Sequence, residues 1–425
     1  MNILYINHYA GSPQHGMEYR PYYLAREWVR SGHNVRIVAS SFSHVRAKQP
    51  DLGGRRRRNE MLNDVNYLWL AGASYHGNGM RRVWSMLVFL WRLYTSGRQL
   101  AQEVKPDVVI ASSTYPMDIW PARRIALMTG AKLVYEVHDL WPLTPMELGG
   151  LSRHHPLMCW MQMAEDFAYR NADCVVSLLP NIHDHAIAHG LDLAKLTIVP
   201  NGIDPDEWQS ARRALPDKLC KELSFIRTRA RFIVGYAGTH GVANALDRLL
   251  ACAEKMKQDD VAFVLVGDGP EKAALSTLAS QKRLDRVHFL NPVDKARVPE
   301  LLRWFDIAYV GSNKSVLYRF GISPNKLFDY MMAARPVLQC IDAPPGPVEH
   351  SGCGVCVASD DPGDSAHAIR RLLAMSREDR ERMGLRGREY VLAHHTYPVL
   401  AARFLAAISG RRMADRVSTE YQTVD

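Results

Sequence analysis

Lys326 and Asp329, three residues apart, are the first pair whose types and spacing could do chemistry. They lie in a segment that reads FGISPNKLFDYMMAARPVL from Phe320 to Leu338. On a helix the two side chains share one face and lie one turn apart. A lysine could bind a phosphate and an aspartate a sugar hydroxyl, so the pair suits a nucleotide-sugar. The alternative is a surface ion pair on a helix whose apolar residues belong to the core.

The residues around this pair predict a loop, a helix and the start of a strand. Ser323 is the predicted N-cap and Pro324 the first helical residue, where its missing N–H costs nothing. The helix should run to about Arg335, because Pro336 cannot continue it. Lys326 then falls at the third helical position, where the positive helix end disfavours a cation. A lysine and free N–H groups at one helix start indicate a phosphate site.

The motif S-P-N-K-L-F-D-Y-M-x-A-x-x-P-V resembles the nucleotide-sugar motif of the family 4 retaining glycosyltransferases. More narrowly, it is similar to the motif of their bacterial O-antigen and capsule branch. The residues that this resemblance places at the donor are Ser323, Pro324, Asn325, Lys326 and Asp329. The family's E-x7-E pair maps onto Gly321 and Asp329, so only the second position, which binds ribose in the family, keeps a carboxylate.

A second donor loop, Gly238–Gly241 (GTHG), follows the predicted strand Phe232–Gly238. The resemblance implies donor contacts from Gly238, Thr239, His240 and Gly241. Here the sequence departs from the family, because Thr239 and Asn244 replace the arginine and lysine that hold the diphosphate. Backbone N–H groups of the loop can still meet phosphate. With those two cations missing, Lys326 becomes more important.

The first half carries a glycine-bearing loop, GSPQHG, between the predicted strand Asn2–Asn7 and the predicted helix Met17–Arg30. Ligands bind at the carboxyl ends of strands in open α/β sheets, so this loop is well placed for a site. The resemblance puts Gly16 beside the bound sugar or the acceptor. A tight turn between strand and helix is the alternative.

A histidine and an aspartate, His138 and Asp139, stand where the predicted strand Lys132–Glu136 meets its loop. The stretch EVHDLWP around them resembles E-V-[RH]-D-L-W-P in the same branch. The resemblance implies that His138 contacts the transferred sugar near its reacting carbon. It further implies that Asp139 orients His138 or the acceptor hydroxyl. A structural His–Asp pair is the alternative.

The net charge of +9 lies in the first 100 residues, which contain fourteen Lys and Arg against five Asp and Glu. Such a basic region implies an anionic partner, either phosphates or lipid headgroups. The loop 53–58 contains the run Arg55, Arg56, Arg57 and Arg58. It is either a solvated loop or a clamp for an acceptor diphosphate or an anionic lipid. No nucleic-acid partner is expected, because no zinc-finger spacing, RNP-like pattern or helix-turn-helix accompanies the charge.

The segment Met80–Val104 predicts a helix with an apolar run, Val83–Tyr94, that is too short to span a bilayer. Trp84 and Trp91 lie among arginines in this run, which fits a helix in the membrane interface. The alternative is a core helix with a basic outer face.

Alternating strands and helices predict two Rossmann-like domains facing a cleft, the GT-B architecture that the resemblance also implies. A chain of 425 residues is too long for a single hydrophobic core, so about two or three domains are expected. The predicted domains are an acceptor-binding domain over 1–199 and a nucleotide-sugar-binding domain over 200–395. A crossover helix that returns to the first domain and a polar tail occupy 396–425. The turn PNG within TIVPNGID marks the boundary.

The resemblance implies a retaining, metal-independent hexosyl- or N-acetylhexosaminyltransferase with a UDP-linked donor and no cofactor. The expected acceptor is an oligosaccharide or a saccharide on polyprenyl diphosphate, used in cell-surface polysaccharide biosynthesis. No metal is expected, because no D-x-D lies in a plausible loop, and the Cys353–Cys356 CxxC falls in an apolar strand. Two rival functions remain, a GT-B-fold nucleotide-sugar 2-epimerase and a membrane- or RNA-binding protein with a degenerate site.

The expected location is the cytoplasm, with peripheral contact to the anionic inner face of the cytoplasmic membrane. Seven cysteines at irregular spacing favour a reducing compartment. The start MNILYINHYAG has no basic n-region and too short an apolar run for a signal peptide.

Overall fold

The structure, a computed structural model, describes residues 1–75, 77, 79–210, 213–358 and 361–410. The chain divides into two compact units. Unit 1 is Met1–Pro200 together with the C-terminal segment that begins at Tyr397, and unit 2 is Asn201–Thr396. These boundaries lie one residue from the predicted ones.

Unit 1 is a twisted sheet with helices packed on it. Its strands are β1 (Asn2–Ile6), β2 (Asn34–Ser40), β3 (Arg57–Leu62), β4 (Val65–Leu70), β5 (Val108–Ala111), β6 (Lys132–Val137), β7 (Cys174–Ser177) and β8 (Leu196–Ile198). Its helices are α1 (Arg20–Arg30), α2 (Met80–Val104), α3 (Ile119–Thr129), α4 (Leu143–Gly149), α5 (Pro156–Asn171), α6 (His183–Ala188) and, last in the chain, α16 (Tyr397–Ile408). The strand order is β3-β4-β2-β1-β5-β6-β7-β8.

Strands β1, β5 and β6 lie next to one another and pair in parallel. Their central residues are apolar and buried, as expected when helices cover both faces of a parallel sheet. Because parallel strands end at the same edge, the loops that follow these strands meet there. Asn7, Ser112 and His138, one from each loop, are joined by hydrogen bonds at that edge.

Unit 2 repeats the architecture with six described strands. They are β9 (Phe232–Ala237), β10 (Val261–Val266), β11 (Val287–Leu290), β12 (Ile307–Gly311), β13 (Val337–Cys340) and β14 (Gly354–Val357), in the order β11-β10-β9-β12-β13-β14 and all parallel. Its helices are α7 (Pro205–Ser210), α8 (Asp217–Arg229), α9 (Leu246–Lys255), α10 (Lys272–Gln281), α11 (Val298–Leu302), α12 (Asn325–Met332), α13 (Pro347–Ser351), α14 (Pro362–Ala374) and α15 (Arg377–His394). Two Rossmann-like domains were predicted, and the structure confirms them.

The last helix, α16, packs on α1 of unit 1. The indole Nε1 of Trp28 donates to the carbonyl of Ala401 at 3.1 Å, and the ring of Phe404 lies 5.1 Å from that of Trp28. Tyr23 and Tyr397 stack with ring centroids 4.6 Å apart. The predicted return of the C-terminal helix to the first domain is confirmed.

Two predictions about local structure in unit 1 are wrong. Arg57 and Arg58 are not in a loop, because they begin β3, which pairs antiparallel with β4. The partner strand supplies backbone hydrogen bonds that the arginine run itself does not reveal. Helix α1 begins at Arg20 rather than Met17, because Met17 and Glu18 have φ angles of 57° and 47°, outside the helical region.

Candidate active site

The loops that follow β9 and β10 form one wall of a cavity of about 310 Å³ in unit 2. The other wall is the first part of α12 with the segment between β11 and α11. The lining residues are Ala237, Gly238, Thr239, Val266, Gly267, Asp268, Pro292, Val293, Val298, Leu301, Lys326, Asp329 and Tyr330. The cavity lies at the carboxyl edge of the sheet, where open α/β folds bind ligands. Lys326 and Asp329 both line it.

Lys326 is half-buried and faces the loop that begins at Gly238. Its Nζ donates to the hydroxyl of Tyr236 at 2.9 Å and also hydrogen-bonds Asn244 Oδ1. The same Nζ lies 4.6 Å from the centroid of the Tyr236 ring. Burial lowers the pKa of Lys326 to about 8. No carboxylate of the described chain pairs with this lysine, so the site carries a cation that an anion would neutralise.

The loop after β9 lies against the loop after β10, backbone to backbone. His240 N–H donates to the carbonyl of Asp268 at 2.8 Å, and Gly238 N–H donates to Val266. A Cβ at Gly267 would lie 1.9 Å from the carbonyl oxygen of Gly238, so only glycine fits there. His240 is fully buried and is not among the residues that line this cavity, so a contact between His240 and the donor stays a prediction.

These hydrogen bonds reduce the number of N–H groups in the GTHG loop that could bind a diphosphate. The N–H groups of Gly238 and His240 are occupied within the loops. Those of Thr239 and Gly241 make no hydrogen bond within the described part of the chain. They are therefore the two that remain for a ligand.

Asp329 lines the cavity one turn after Lys326 on α12. Burial raises the pKa of its carboxyl to about 6, although Lys295 acts in the opposite direction. A half-buried carboxylate beside apolar wall residues is suited to accept hydrogen bonds from neutral hydroxyl groups.

The predicted cap of this helix is wrong. Helix α12 begins at Asn325 with Pro324 as its N-cap, so Lys326 is the second helical residue rather than the third. The Ser323 hydroxyl instead accepts from the N–H of Asn201 at 2.8 Å, and the Asn201 side chain donates to the Ser323 carbonyl at 2.9 Å. A partner distant in sequence takes the oxygen that local geometry would have used as a cap.

A buried carboxylate, Glu136, organises the carboxyl edge of the sheet in unit 1. Its Oε1 accepts from Arg20 Nε at 2.9 Å. Its Oε2 accepts from the Tyr5 hydroxyl at 2.5 Å and the Ser112 hydroxyl at 2.6 Å. His138 Nε2 lies 3.1 Å from the same oxygen and 2.8 Å from Ser112 Oγ. Sequence reasoning did not assign Glu136, although one acid inside the apolar strand KLVYEV was a signal.

The charges around Glu136 stabilise its ionised form. Burial raises the pKa of this carboxyl, but Arg20 and then His138, together with the hydrogen bonds, outweigh burial and hold it well below its usual range. Glu136 is therefore a carboxylate at neutral pH. The Ser112 hydroxyl donates its hydrogen bond to Glu136, so Ser112 Oγ can act only as an acceptor toward His138. Ser112 Oγ and Glu136 Oε2 therefore both accept from the Nε2–H of His138. With the proton on Nε2, the neutral tautomer of this ring carries its lone pair on Nδ1.

Asp139 is engaged by its own loop. Its Oδ1 accepts from the Leu140 N–H at 2.9 Å and from the Thr144 hydroxyl at 2.7 Å, and its Oδ2 accepts from Trp141 Nε1 at 3.1 Å. The residue that orients His138 is Glu136, so the prediction that Asp139 orients it is wrong. A contact between Asp139 and an acceptor stays a prediction.

Sequence comparisons match both halves of the chain to glycosyltransferase families. A profile described as "Glycosyl transferase 4-like domain" matches residues 15–202, and one described as "Glycosyl transferases group 1" matches residues 231–375. The chain belongs to the family 4 glycosyltransferases. The first match falls in unit 1, which contains the cluster around Glu136 and His138. The second falls in unit 2, which contains Lys326 and Asp329.

Two curated relatives come from bacteria. A protein of Escherichia coli (strain K12) named as a colanic acid biosynthesis glycosyl transferase, WcaI, is 23% identical over 225 residues, which are 52% of this chain and 54% of that protein. A protein of Pseudomonas aeruginosa named as a glycosyltransferase, WbjE, is 22% identical over 271 residues, 62% of this chain and 63% of that protein. The chain thus spans less than two thirds of the length of these relatives.

A solved structure of the same fold is HepE (Alr3699) of Anabaena, in complex with UDP. The match has a TM-score of 0.64 and 15% sequence identity, and it covers 96% of this chain and 100% of the HepE chain. This likeness shows the fold, which agrees with the predicted GT-B architecture.

The departure from the family at Thr239 and Asn244 has a structural counterpart. Asn244 stands where the family places a lysine, and its amide donates to the carbonyl of Thr239 at 2.9 Å while its Oδ1 hydrogen-bonds Lys326. Asn244 therefore positions the ammonium group of Lys326. Lys326, which donates this hydrogen bond, lies on the opposite wall of the cavity, and its contact with a diphosphate stays a prediction.

Gly16 has a φ angle of 75°, which favours glycine. A Cβ there would also lie 3.1 Å from the Cβ of Ala47. These observations account for the turn, and a contact with sugar or acceptor stays a prediction.

The arginine run lies at the sheet edge. Arg57 pairs with Glu103 at 3.1 Å, and Arg58 hydrogen-bonds the carbonyl of Asp51. Arg55 and Arg56 precede β3 and are exposed. An acceptor role for the run stays a prediction.

The outer face of α2 is apolar and basic. Trp84 and Trp91 are 62% and 68% exposed, so the alternative that they belong to the core is wrong. Tyr94 is exposed one turn further along, and the guanidinium of Arg124 lies 4.2 Å from its ring centroid. Among the described helices, none combines the length and the apolar content needed to cross a bilayer.

One group of side chains could hold a metal ion by composition: Glu165, His185 and His189 place ligand atoms within 4.8 Å of one another. His185 Nε2 already lies 2.8 Å from Glu165 Oε1, and His189 Nδ1 lies 2.8 Å from Asp166 Oδ1. Gln162 bridges both carboxylates. These hydrogen bonds tie α6 to α5, and we assign the group that structural role.

Proposed function

We propose that this protein is a retaining glycosyltransferase that moves a sugar from a UDP-linked donor to a lipid-linked saccharide in cell-surface polysaccharide biosynthesis. The observation that carries the proposal is the unit 2 cavity, where a cation without a carboxylate partner and a half-buried carboxylate lie one helical turn apart. The family, the colanic acid relative and the UDP complex of HepE support it.

The cavity can stabilise the departing nucleoside diphosphate. The anomeric carbon–oxygen bond to the diphosphate breaks, and a bond from the acceptor hydroxyl oxygen to that carbon forms on the same face. The acceptor proton passes to the departing phosphate oxygen. Lys326, the N–H groups of Thr239 and Gly241, and the start of α12 face the negative charge that develops, which is electrostatic catalysis without a metal.

His138 supplies the acceptor-side group of this proposal. Its Nδ1 lone pair, backed by the Glu136 carboxylate, would face the positive charge that develops on the transferred sugar. Glu136 fixes the orientation of the ring and its tautomer through Nε2.

Turnover of a nucleotide-sugar panel with a short polyprenyl-diphosphate saccharide tests the proposal. We expect one donor to yield a new glycosidic bond with the donor's anomeric configuration, seen by nuclear magnetic resonance. An inverted product would overturn the retaining mechanism. Conversion of the donor to its 2-epimer without an acceptor would establish the epimerase instead.

Replacing Lys326 with alanine should weaken UDP binding by about tenfold or more, because a hydrogen bond to a charged group contributes about 1.5–3 kcal/mol. Uridine, which has no diphosphate, should lose little affinity. Apo stability at pH 7 should not fall, because burial of this cation already opposes its charged form. Calorimetry and thermal melting measure the three quantities.

The matched control is Lys218→Ala, because Lys218 is also the second residue of a helix but is exposed. Binding by the native protein should also fall above pH 8, where the apo lysine loses its proton, and Lys326→Ala should abolish that dependence. A variant that binds UDP normally but melts earlier would make Lys326 structural.

Replacing Asp329 with alanine should weaken UDP binding by about tenfold, because the carboxylate aligned with the ribose-binding position is lost. Asp329→Asn separates binding from stability. The folded-state pKa of about 6 lies above the ordinary value of 3.8, so the stability that Asp329 contributes is present in acid and lost as pH rises through 6. Asp329→Asn should therefore stabilise the apo protein at pH 8 while UDP binding falls, and unchanged calorimetry would remove Asp329 from the site.

We further propose that the outer face of α2 contacts an anionic membrane, where the acceptor lipid is held. Exchanging Trp84 and Trp91 for serine should lower partitioning onto phosphatidylglycerol vesicles at least tenfold, since burying one large apolar side chain contributes about 1.5–3 kcal/mol. Vesicle sedimentation measures this. The control is Phe225→Ser, an aromatic residue 57% exposed in unit 2. Equal partitioning of the double variant and the native protein would end the membrane proposal.

A further inference from the structure

The loop after β2 places an arginine, Arg46, inside unit 1. Arg46 is 4% exposed. One guanidinium nitrogen, Nη2, donates to the carbonyl of Ser40 at the end of β2, and the group lies 5.0 Å from the centroid of a Trp69 ring. The other two nitrogens, Nε and Nη1, are buried and have no hydrogen-bond partner. Leaving a buried charged donor unsatisfied is costly, so a partner of opposite charge is expected.

No carboxylate of the described chain pairs with Arg46. Glu60 is the acid near it, but its Oε2 accepts from Trp69 Nε1 at 2.6 Å and lies 3.9 Å from His15 Nε2. Burial lowers the pKa of the Arg46 guanidinium to about 10, and Tyr67 and Tyr75 act in the opposite direction. The fold therefore holds a buried cation without an acid to balance it.

Other basic groups face the same region. His8, in the loop after β1, is fully buried, and its Nε2 has no hydrogen-bond partner. Burial lowers the pKa of His8, and Arg46, Arg82 and His44 lower it further. Arg46 comes from the loop after β2 and Arg82 from α2, so positive charge reaches His8 from two elements. Ser43 in the Arg46 loop adds a buried hydroxyl without a partner.

The Arg46 loop is held in place rather than loosely attached. Gln49 donates to the carbonyls of Ser43 and Arg46 and accepts from the Ser43 N–H at 3.0 Å. The loop also contacts GSPQHG, because Lys48 N–H donates to the carbonyl of His15 at 3.0 Å. A fixed loop presents the guanidinium at a fixed place.

This cluster adjoins the Glu136–His138 cluster along the sheet edge. The backbone N–H of His8 donates to Ser113 Oγ at 3.0 Å, and the neighbouring Ser112 hydrogen-bonds His138. Strand β1 lies between β2 and β5 in the sheet. The two clusters therefore occupy neighbouring loops on one edge.

We propose that Arg46 binds a phosphate group in unit 1, at an anion site built from residues other than those that line the unit 2 cavity, and that this group belongs to the acceptor. The assignment to the acceptor rests on the proposed function, whereas the anion site rests on Arg46 and its neighbours. The unsatisfied N–H groups of Arg46, on Nε and Nη1, lie on two different edges of the planar guanidinium, so each edge can donate to a phosphate oxygen.

Pyrophosphate calorimetry in a Lys326→Ala background tests the site, because that change is expected to weaken phosphate binding in the unit 2 cavity by about tenfold or more. Adding Arg46→Met should weaken pyrophosphate binding by about tenfold or more. Adding Arg30→Met, which removes a half-exposed arginine of α1, should change nothing. Equal affinity with and without Arg46→Met would overturn the proposal.

Arg46→Lys keeps the charge and decides the case if Arg46→Met does not fold. The lysine variant should retain a cooperative melt and bind pyrophosphate at least about threefold more weakly, because an ammonium is a point charge without the donors that the planar guanidinium carries on two edges. Unchanged binding by the lysine variant would make Arg46 structural. None of these readouts needs sugar transfer, so failure of the proposed function would leave the anion site standing, and the reverse also holds.

Geranyl diphosphate, inorganic pyrophosphate and geraniol distinguish the source of the phosphate. Tighter binding of the prenyl diphosphate than of pyrophosphate, lost with Arg46→Met, supports a lipid-linked acceptor. Equal Arg46-dependent binding of both supports a water-soluble phosphate. Binding of geraniol equal to that of geranyl diphosphate would overturn the phosphate assignment.

Discussion

Replacing Glu136 with glutamine should destabilise unit 1 by about 3–5 kcal/mol, because it leaves the buried Arg20 without its carboxylate. The side chains of the pair are 0% and 4% exposed, so water cannot compensate. Arg20 also donates to the carbonyls of Val199 and Pro200 at 2.7 and 2.6 Å, so the last segment of unit 1 should loosen as well. Urea denaturation followed by hydrogen exchange of the β6 amides reports this unit.

Glu103→Gln is the matched control. Glu103 pairs with two arginines, Arg36 and Arg57, both at 3.1 Å, but on the surface. The Glu103→Gln substitution should lower the free energy of unfolding by no more than about 1 kcal/mol. Because the Glu136 pKa is held well below its usual range, the stability it contributes is present above the ordinary carboxyl pKa and lost only in strong acid. A Glu136→Gln protein as stable as Glu103→Gln would show that the buried pair is not needed for folding.

Changing His138 to alanine should lower kcat by about 100-fold while the Kd for UDP stays the same, since its contact strengthens only as the sugar leaves. Glu136 keeps three other donors, so the fold should remain. Steady-state kinetics with calorimetry separates the two quantities.

His33→Ala, which removes a half-buried histidine between α1 and β2, is the control and should leave kcat unchanged. His138→Gln should recover little, because the amide cannot place a lone pair where Nδ1 stands. If the alanine variant raises KM for the donor and leaves kcat intact, the catalytic role of His138 would be lost.

The alternation of strands and helices was enough to place the loop Gly238–Gly241 and His138 at strand ends, whereas their roles toward donor and acceptor come from the resemblance and stay predictions. Lys326 and Asp329 line one cavity because i and i+3 share a helix face, which sequence spacing states directly. Local rules failed where a distant residue competed for the same atom. The Ser323 hydroxyl caps no helix because Asn201, 122 residues away, uses it.

Charge partners were the least predictable part of the site. The partners of Glu136 come from positions 5, 20, 112 and 138, so only the folded sheet assembles them. The run of four arginines, Arg55 to Arg58, is the most conspicuous basic feature of the sequence. The buried arginine without a carboxylate partner is Arg46, which stands between a valine and an alanine. Composition counts charges, but burial decides which of them need a partner.

The return of α16 to unit 1 affects the order in which the chain can fold during synthesis. All of unit 2 is contiguous and leaves the ribosome before the residues of α16 do. Until then the surface of α1 around Trp28 and Tyr23 has no cover, although the eight strands of its sheet are already made. Domains generally fold as units as they emerge. Unit 2 can therefore be complete while the first unit, begun earlier, still exposes aromatic surface to chaperones.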